Sequence, residues 1–356
     1  MKIVFFTFYY PPDLCAGSFR SIALTKSLKS KLNSTDQIDV ITCHPNRYKS
    51  HSVVASDTSK DGIITIHRIK VPSHKSTMIS QCITFVCFAY YALKISKNLK
   101  PDFVFGTTSR LMTGFLAFIS ATYLNRPYFI DLRDIFSETI SDLFYKKNKF
   151  LGLLVKYCFS RIEKRVLRSA SGVNVVSRDF PKYFNNIGVD TSNWTFYPNG
   201  VDEDFLDFSN FFPKLKRNNN IKTILYAGNI GKGQGLELII PKIAKELNYK
   251  YLIKIIGDGT SLSTLKKIIE LENINNVKFI PPIGRDKLIN YYQEADILFL
   301  HLNDLPAFKR VLPSKIFEYA AIGKPILAGV SGYAESFINE FIDNAKVFPP
   351  CNAKSA

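Results

Sequence analysis

The chain has 356 residues, enough for two domains of ordinary size, and its 46% hydrophobic and 22% charged content is that of a soluble globular protein. Lys and Arg number 47 against 30 Asp and Glu, a net charge of +17, which calls for an anionic partner: nucleic acid, an anionic membrane surface or phosphorylated small molecules. The six cysteines form no C-x-x-C pair and no zinc-like spacing with His, and the N-terminus lacks a signal-peptide pattern, so disulfide framework, zinc module and secretion are set aside in favour of a reduced cytosolic chain.

The first residues, 2–8 (KIVFFTF), form a continuous apolar run, the pattern of a central parallel strand. A small-residue loop at 14–18, with Gly17, leads to a helix expected over 19–29, which is either a phosphate or acceptor loop or an ordinary βα turn. Strands are expected at 38–42 and 63–71, with the polar segment 43–61 between them as a loop. Helices over 77–98 and 112–124 alternate with strands over 101–106 and 126–131. The uncharged runs within these helices carry Ser80, Gln81 and Thr84, and Thr113, Ser120 and Thr122. They read as buried helices of an α/β layer rather than membrane spans.

Asp131, Arg133 and Asp134 stand at the C-terminal end of a strand, where open α/β sheets gather their ligands. They make either an active-site lip or a structural ion pair. In 146–168, Phe150, Leu154, Tyr157, Cys158, Ile162 and Val166 recur at helical spacing among Lys and Arg. That stripe faces either the protein core or an anionic leaflet. Short strands at 172–177 and 194–197 precede turn residues, and the domain boundary is expected between 198 and 220.

A second α/β series begins at Lys222. A strand over 223–227 runs into the glycine-rich loop 228–235, with Gly228, Asn229, Lys232 and Gln234, and a helix follows. Such a loop lets backbone N–H groups approach a phosphate, though its spacing is not that of a P-loop. Further strands are expected at 251–256, ending in Gly257, Asp258 and Gly259, at 277–280, at 296–301 and at 325–328, five in all. In the segment 311–332, Pro313 and Ser314 form a turn whose Ser suits an N-cap. A short helix carries Ile316 and Glu318, the latter away from its most apolar positions, and Gly323 ends the helix.

In this order the segments FYYPPDLCAGSFR, IDLRDIF, YPNGVDEDF, LYAGNIGKGQGLE, IIGDG, ADILFLHL and LPSKIFEYAAIGKPILAG resemble glycosyltransferase family 4. The nearest likeness is to O-antigen and capsule sugar transferases of the N-acetyl-L-fucosamine transferase type. The resemblance implies an α/β GT-B architecture of two Rossmann-like domains facing a cleft. An acceptor-side domain at 1–200, a linker at 201–221 and a donor domain at 222–356 are expected. The family's C-terminal crossover helices are missing, so the chain looks truncated.

The resemblance also implies roles. Glu318 matches the second Glu of the family's E-x7-E motif, which holds the donor ribose, while the first Glu position is occupied by Arg310. Backbone groups from Pro313, Ser314 and Ile316 face the diphosphate and sugar, Gly257, Asp258, Gly259 and Ile283 flank the base, and Gly17 lies near the diphosphate. Asn229 and Gln234 stand where relatives carry Arg and Lys, so Lys232, Lys315 or Arg310 is left to meet the diphosphate charge, Lys315 at the helix start being preferred. Asp131, Arg133, Asp134 and Lys315 are the catalytic candidates.

The expected reaction is a retaining, hexosyltransferase-type transfer. Its donor is a nucleotide-sugar, UDP-linked, of the N-acetylated deoxyhexosamine kind; its acceptor is a lipid-diphosphate-linked glycan of O-antigen or capsule synthesis. No metal or other cofactor is expected, because a His cluster is missing. The expected place is cytoplasmic, peripheral at the inner face of the bacterial membrane, with its anionic lipids as partner and no nucleic acid. A basic nucleic-acid-binding protein and another nucleotide-sugar enzyme, such as an epimerase, are the alternatives.

Overall fold

The computed structural model describes residues 1–46, 53–72, 78–108, 111–145, 148–202, 205–206, 221–247 and 250–356. The chain divides into two compact units, Met1–Pro198 and Asn199–Ala356. Most of the linker expected at 201–221 lies outside the described residues, but Phe205 within it is fully buried in the core of the second unit.

The first unit holds β1 (Lys2–Phe6), α1 (Ala16–Lys29), β2 (Gln37–Cys43), β3 (Thr58–Asp61), β4 (Ile64–Ile69), α2 (Met78–Leu99), β5 (Phe103–Thr107) and α3 (Leu111–Leu124). It continues with β6 (Tyr128–Leu132), α4 (Phe136–Tyr145), α5 (Lys149–Arg168), β7 (Gly172–Val175), α6 (Asp179–Asn186) and β8 (Thr195–Phe196). The sheet order is β3-β4-β2-β1-β5-β6-β7-β8. All neighbours pair in parallel except β3 and β4. The strand order reverses between β1 and β5, the switch point of a doubly wound sheet. Strands β1 and β2 are buried on both faces, as their unbroken apolar runs require. One core, shared by α2, α3 and α5, covers one face of the sheet, and a second, under α1, covers the other.

The second unit holds β9 (Lys222–Ala227), α7 (Leu236–Leu247), β10 (Tyr251–Ile256), α8 (Leu262–Leu271), β11 (Val277–Ile280), α9 (Arg285–Glu294) and β12 (Ile297–His301). Then come α10 (Lys315–Ile322), β13 (Ile326–Gly329), α11 (Tyr333–Phe341) and β14 (Ala345–Phe348). All its strands are parallel, in the order β11-β10-β9-β12-β13-β14. This is the 3-2-1-4-5-6 order of a Rossmann sheet, with its switch point between β9 and β12.

Several expectations are corrected. The second sheet has six strands rather than five: β14 forms from the stretch read as a tail, its four residues too short to show a period. The polar segment 43–61 is not wholly loop, because β3 pairs antiparallel with β4 as an edge strand that needs no apolar face; its residues 47–52 lie outside the described set. Helix α1 starts at Ala16, so Gly17 belongs to its first turn. Thr77, Lys146 and Lys147, expected within helices, also lie outside the described residues. No helix of the described residues is long and apolar enough to cross a membrane. Helices α2 and α3 instead pack together, with Ser96 and Ser120 bonded at 2.7 Å in the interior.

Two features of the framework have measurable consequences. Gly257, after β10, adopts φ +143°, and a Cβ there would collide with the carbonyl of Gly228. Gly257→Ala is expected to lower stability by about 1–3 kcal/mol from backbone strain alone, read as a shifted urea midpoint of unfolding. In the first unit, Glu163 of α5 is buried and takes N–H bonds from Phe136 and Ser137 at 2.9 and 3.2 Å, tying down the start of α4. Burial raises its carboxyl to about 7, against the pull of those bonds. The folded pKa lies above the unfolded one, so the contribution to stability is full below the ordinary carboxylate pKa and lost as pH rises toward 7. Over that window the chain loses on the order of 3 kcal/mol from this group. Glu163→Gln is expected to flatten the decline, seen by comparing urea midpoints at acid and neutral pH.

Candidate functional site

The switch point of the second sheet gathers three loops. The loop after β9 crosses the end of β10, where Gly228 N–H donates to Ile256 O and Ile230 N–H to Asp258 O, both at 2.9 Å. Asn229 and Gln234 brace it from within, amide to amide at 2.7 Å, and Tyr226 Oη donates to Asn229 O at 2.6 Å. From the other side, the end of β12 grips successive loop carbonyls. Asn303 Nδ2 donates to Lys232 O at 2.8 Å, Asn303 N–H to Gly233 O at 2.9 Å, and His301 Nδ1 to Gln234 O at 2.6 Å. His301 Nε2 in turn accepts Cys351 N–H at 2.9 Å, which fixes the neutral tautomer. Burial lowers the pKa of His301, in keeping with that neutral form, although the bond to Gln234 opposes it.

Beside this loop stands the start of α10. Ser314 does not cap it: the residue is in the helical region and its side chain makes no cap bond, because the chain enters through a turn in which Ile316 N–H reaches Pro313 O at 3.1 Å. Gly323 closes the helix in the left-handed conformation, φ +70°, as its position predicts. Lys315 lies close to Gly228, its Cε 3.6 Å from where a Cβ on that glycine would be, so loop and helix start are brought together.

Glu318, expected away from the apolar positions, is buried at 5% exposure under α9. Arg285 Nη2 donates to its Oε1 at 2.6 Å, and Lys315 Nζ and Tyr292 Oη donate to its Oε2 at 2.9 and 3.0 Å. Burial would raise its pKa, but Lys315 and Arg285 outweigh that and hold the carboxyl below the ordinary range. A carboxylate has about four acceptor positions, and three are occupied by the described residues, which leaves room for one more donor. Lys315 spends one further N–H on Tyr292 Oη at 3.1 Å and, among the described residues, keeps its third. Arg285 also pairs with Asp202 and lies 5.1 Å from the Phe205 ring, so it joins the first residues of this unit to Glu318.

Of the remaining candidates, Gly257 and Gly259 allow the close backbone crossing, and Asp258 Oδ1 accepts the N–H of Gly259 at 2.7 Å. Ile283 packs against the α9–α10 core. Arg310 ends a 3-10 turn, Pro306–Arg310, and is half-buried. Arg285, Tyr292, His301 and Asn303 were missed. A strand ending in His301 after the apolar run ILFL carries the same signal as the strand ending in Asp131, and could have been found by it.

In the first unit, Asp131 is buried at the end of β6. Arg20 clasps it with Nε and Nη2 at 2.8 and 2.6 Å, Asn174 Nδ2 donates at 2.8 Å, and Thr107 Oγ1 at 3.1 Å. Burial favours its neutral form, but Arg20, Arg133 and Asn174 prevail and lower its pKa. Its acceptor positions are full, which makes it an anchor rather than a base. Arg20 also holds the carbonyls of Tyr197 and Pro198 at 2.9 and 2.8 Å, so the anchor fixes the end of this unit. Arg133 N–H donates to Thr108 Oγ1 at 2.9 Å. Asp134 reaches solvent at its surface, and the protein crowded around it raises its carboxyl to about 6 against the pull of Arg133. Gly17 sits buried in the first turn of α1, its carbonyl taking Ser21 Oγ at 2.8 Å. The lip expected at 131–134 thus separates into a saturated carboxylate and an open one.

Residues 207–356 match the family described as Glycosyl transferases group 1. The protein named "Putative colanic acid biosynthesis glycosyl transferase WcaI", from Escherichia coli (strain K12), is 24% identical over 354 residues, covering 94% of this chain and 84% of its own length. Among solved structures, sucrose-phosphate synthase from Thermosynechococcus elongatus is similar with a TM-score of 0.73 and 14% identity, over 100% of this chain and 87% of that one. HepE of Anabaena, in complex with UDP and glucose, is similar with a TM-score of 0.66 and 16% identity, over 100% and 87%. The match over residues 207–356 supports sugar-transferase activity, and the chain has the fold of the GT-B glycosyltransferases to which it is similar.

Proposed function

We propose that the chain transfers a sugar from a UDP-linked donor, with retention of configuration, to a lipid-diphosphate-linked glycan during surface polysaccharide synthesis. It works at the cytoplasmic face of an anionic membrane. The observation that carries this reading is the meeting of the glycine-rich loop, Lys315 and Glu318 at the switch point of the second sheet. A nucleoside diphosphate fits there: N–H groups and a cation for the phosphates, and one acceptor position on Glu318 for a ribose hydroxyl. The similar HepE structure, which holds UDP and glucose, supports the choice of nucleotide. The relative named for colanic acid synthesis supports the acceptor class. The resemblance to N-acetyl-L-fucosamine transferases makes an N-acetylated deoxyhexosamine the sugar to try first.

The transfer is a front-face displacement. The bond from the anomeric carbon to the diphosphate breaks as the bond to the acceptor oxygen forms on the same face. The acceptor proton passes to the departing phosphate oxygen, whose charge Lys315 and the start of α10 stabilise. In the first unit, Asp131 holds the end of β6 in place. No metal ion takes part.

Incubation with a panel of UDP-sugars and lipid-diphosphate acceptors, read by mass spectrometry and by NMR of the new anomeric centre, tests the reaction. A product of inverted configuration, or no product with any UDP-sugar alongside tight binding of oligonucleotides, contradicts the reading. Lys315→Ala is expected to weaken UDP binding and lower turnover at least tenfold. Unchanged titration calorimetry and rates for that variant would remove Lys315 from the donor site.

A further inference from the structure

Helix α5 has one outward face with two halves. Phe150, Leu153, Leu154 and Tyr157 occupy its first turns, all exposed, Phe150 by 77%. Arg161, Lys164 and Arg165 continue the same face toward the C-terminal end; at 100° per residue the seven fall within a sector of about 120°. The only acid of the helix, Glu163, is buried on the opposite side. The apolar stripe therefore does not face the core in its first half, although Val166, further along, does.

Helix α2 repeats the arrangement. Ile83, Val86 and Tyr90 stand exposed at helical spacing, Val86 by 67%, and the exposed Lys94 and Lys97 follow. The helix contains no acidic residue. Both helices contribute to the core on one face of the first sheet, α2 through Phe88 and Ala92, α5 through Val166 and Leu167. Both also lead into the start of a parallel strand, β5 and β7. Their N-terminal, apolar halves therefore lie toward the C-terminal edge of the sheet, the edge at which β6 delivers Asp131 and Asp134.

We propose that these two faces dock on an anionic lipid bilayer, the apolar halves entering the boundary between headgroups and acyl chains and the cationic halves resting on the phosphates. The order along each helix, apolar then cationic, matches the order of chemistry met on leaving a leaflet. Two copies of a +17 chain meeting through these faces would set cations against cations, so a second copy fits less well. The proposal deepens the function proposed above by naming how a membrane-borne acceptor is reached, and it rests on that reading only for its purpose. Vesicle binding is measured without donor or acceptor, so either can fail alone.

The test is co-sedimentation of the full chain with vesicles of phosphatidylcholine, alone or with one quarter phosphatidylglycerol. Partition onto the anionic vesicles is expected to exceed that onto neutral ones at least tenfold and to fall as salt is raised. Phe150→Ser with Leu154→Ser should weaken it at least tenfold, and Arg161→Glu with Arg165→Glu should abolish the preference for anionic lipid, with melting temperatures unchanged. In a Phe150→Trp variant, lipids brominated near the headgroup should quench the new indole. Undiminished partition in the serine variant, equal partition onto neutral vesicles, or an unquenched indole overturns the proposal. So does a concentration-dependent dimer, by sedimentation velocity, that the serine substitutions disperse.

Discussion

Each unit is organised at its ligand edge by one buried carboxylate that its own protein neutralises. In the first, Asp131 receives four donors from Arg20, Asn174 and Thr107. In the second, Glu318 receives three, from Arg285, Lys315 and Tyr292. A buried carboxylate stripped of such partners would be costly, so the donors around it are held in place as firmly as it is. The difference of one donor matters chemically. Asp131 has nothing left to offer a ligand and serves the frame; Glu318 retains a position through which a ligand can be held.

The consequences spread outward along the chain. Arg20 uses two of its remaining donors on the carbonyls of Tyr197 and Pro198, so the anchor at β6 also pins the last residues of the first unit. Arg285 reaches Asp202 and Phe205, so the clamp on Glu318 also pins the opening residues of the second. The glycine-rich loop is held differently, through its carbonyls, by Asn303 and His301 at the end of β12. Within the loop, the Gln234 side chain adds a brace of its own, its Oε1 accepting both Asn229 Nδ2 at 2.7 Å and the Gly231 N–H at 3.3 Å.

Much of this frame was legible in the sequence because it is written in local pattern. Apolar runs mark the buried strands, and the glycines after β9 and β10 mark a close backbone crossing; Gly323 marks a helix end. What was not legible depends on partners far apart in the chain. Arg20 and Asp131 are separated by 111 positions, Arg285 and Glu318 by 33, and neither pairing leaves a trace in spacing. Short elements were also lost. β3 is a polar edge strand and β14 only four residues long, so neither carries enough residues for a period to show.

Glu318 and Phe150 show the same limit from opposite directions. Helical periodicity identifies which residues share a face, but not what lies against it. Glu318 sits on a flank read as outward, and α9 covers it with Arg285 and Tyr292, turning a solvent-facing acid into the centre of a buried cluster. Phe150 sits on a stripe whose pattern suits the core as well as a leaflet, and only the far half of that stripe, ending in Val166, is covered. Cover is a property of the neighbouring elements, and it divides a single helix into a half that serves the core and a half that must be explained by something outside the chain. The excess of positive charge, which in the composition was only a total, acquires a direction from that division: on α2 and α5 it follows the bare apolar half and no acid interrupts it.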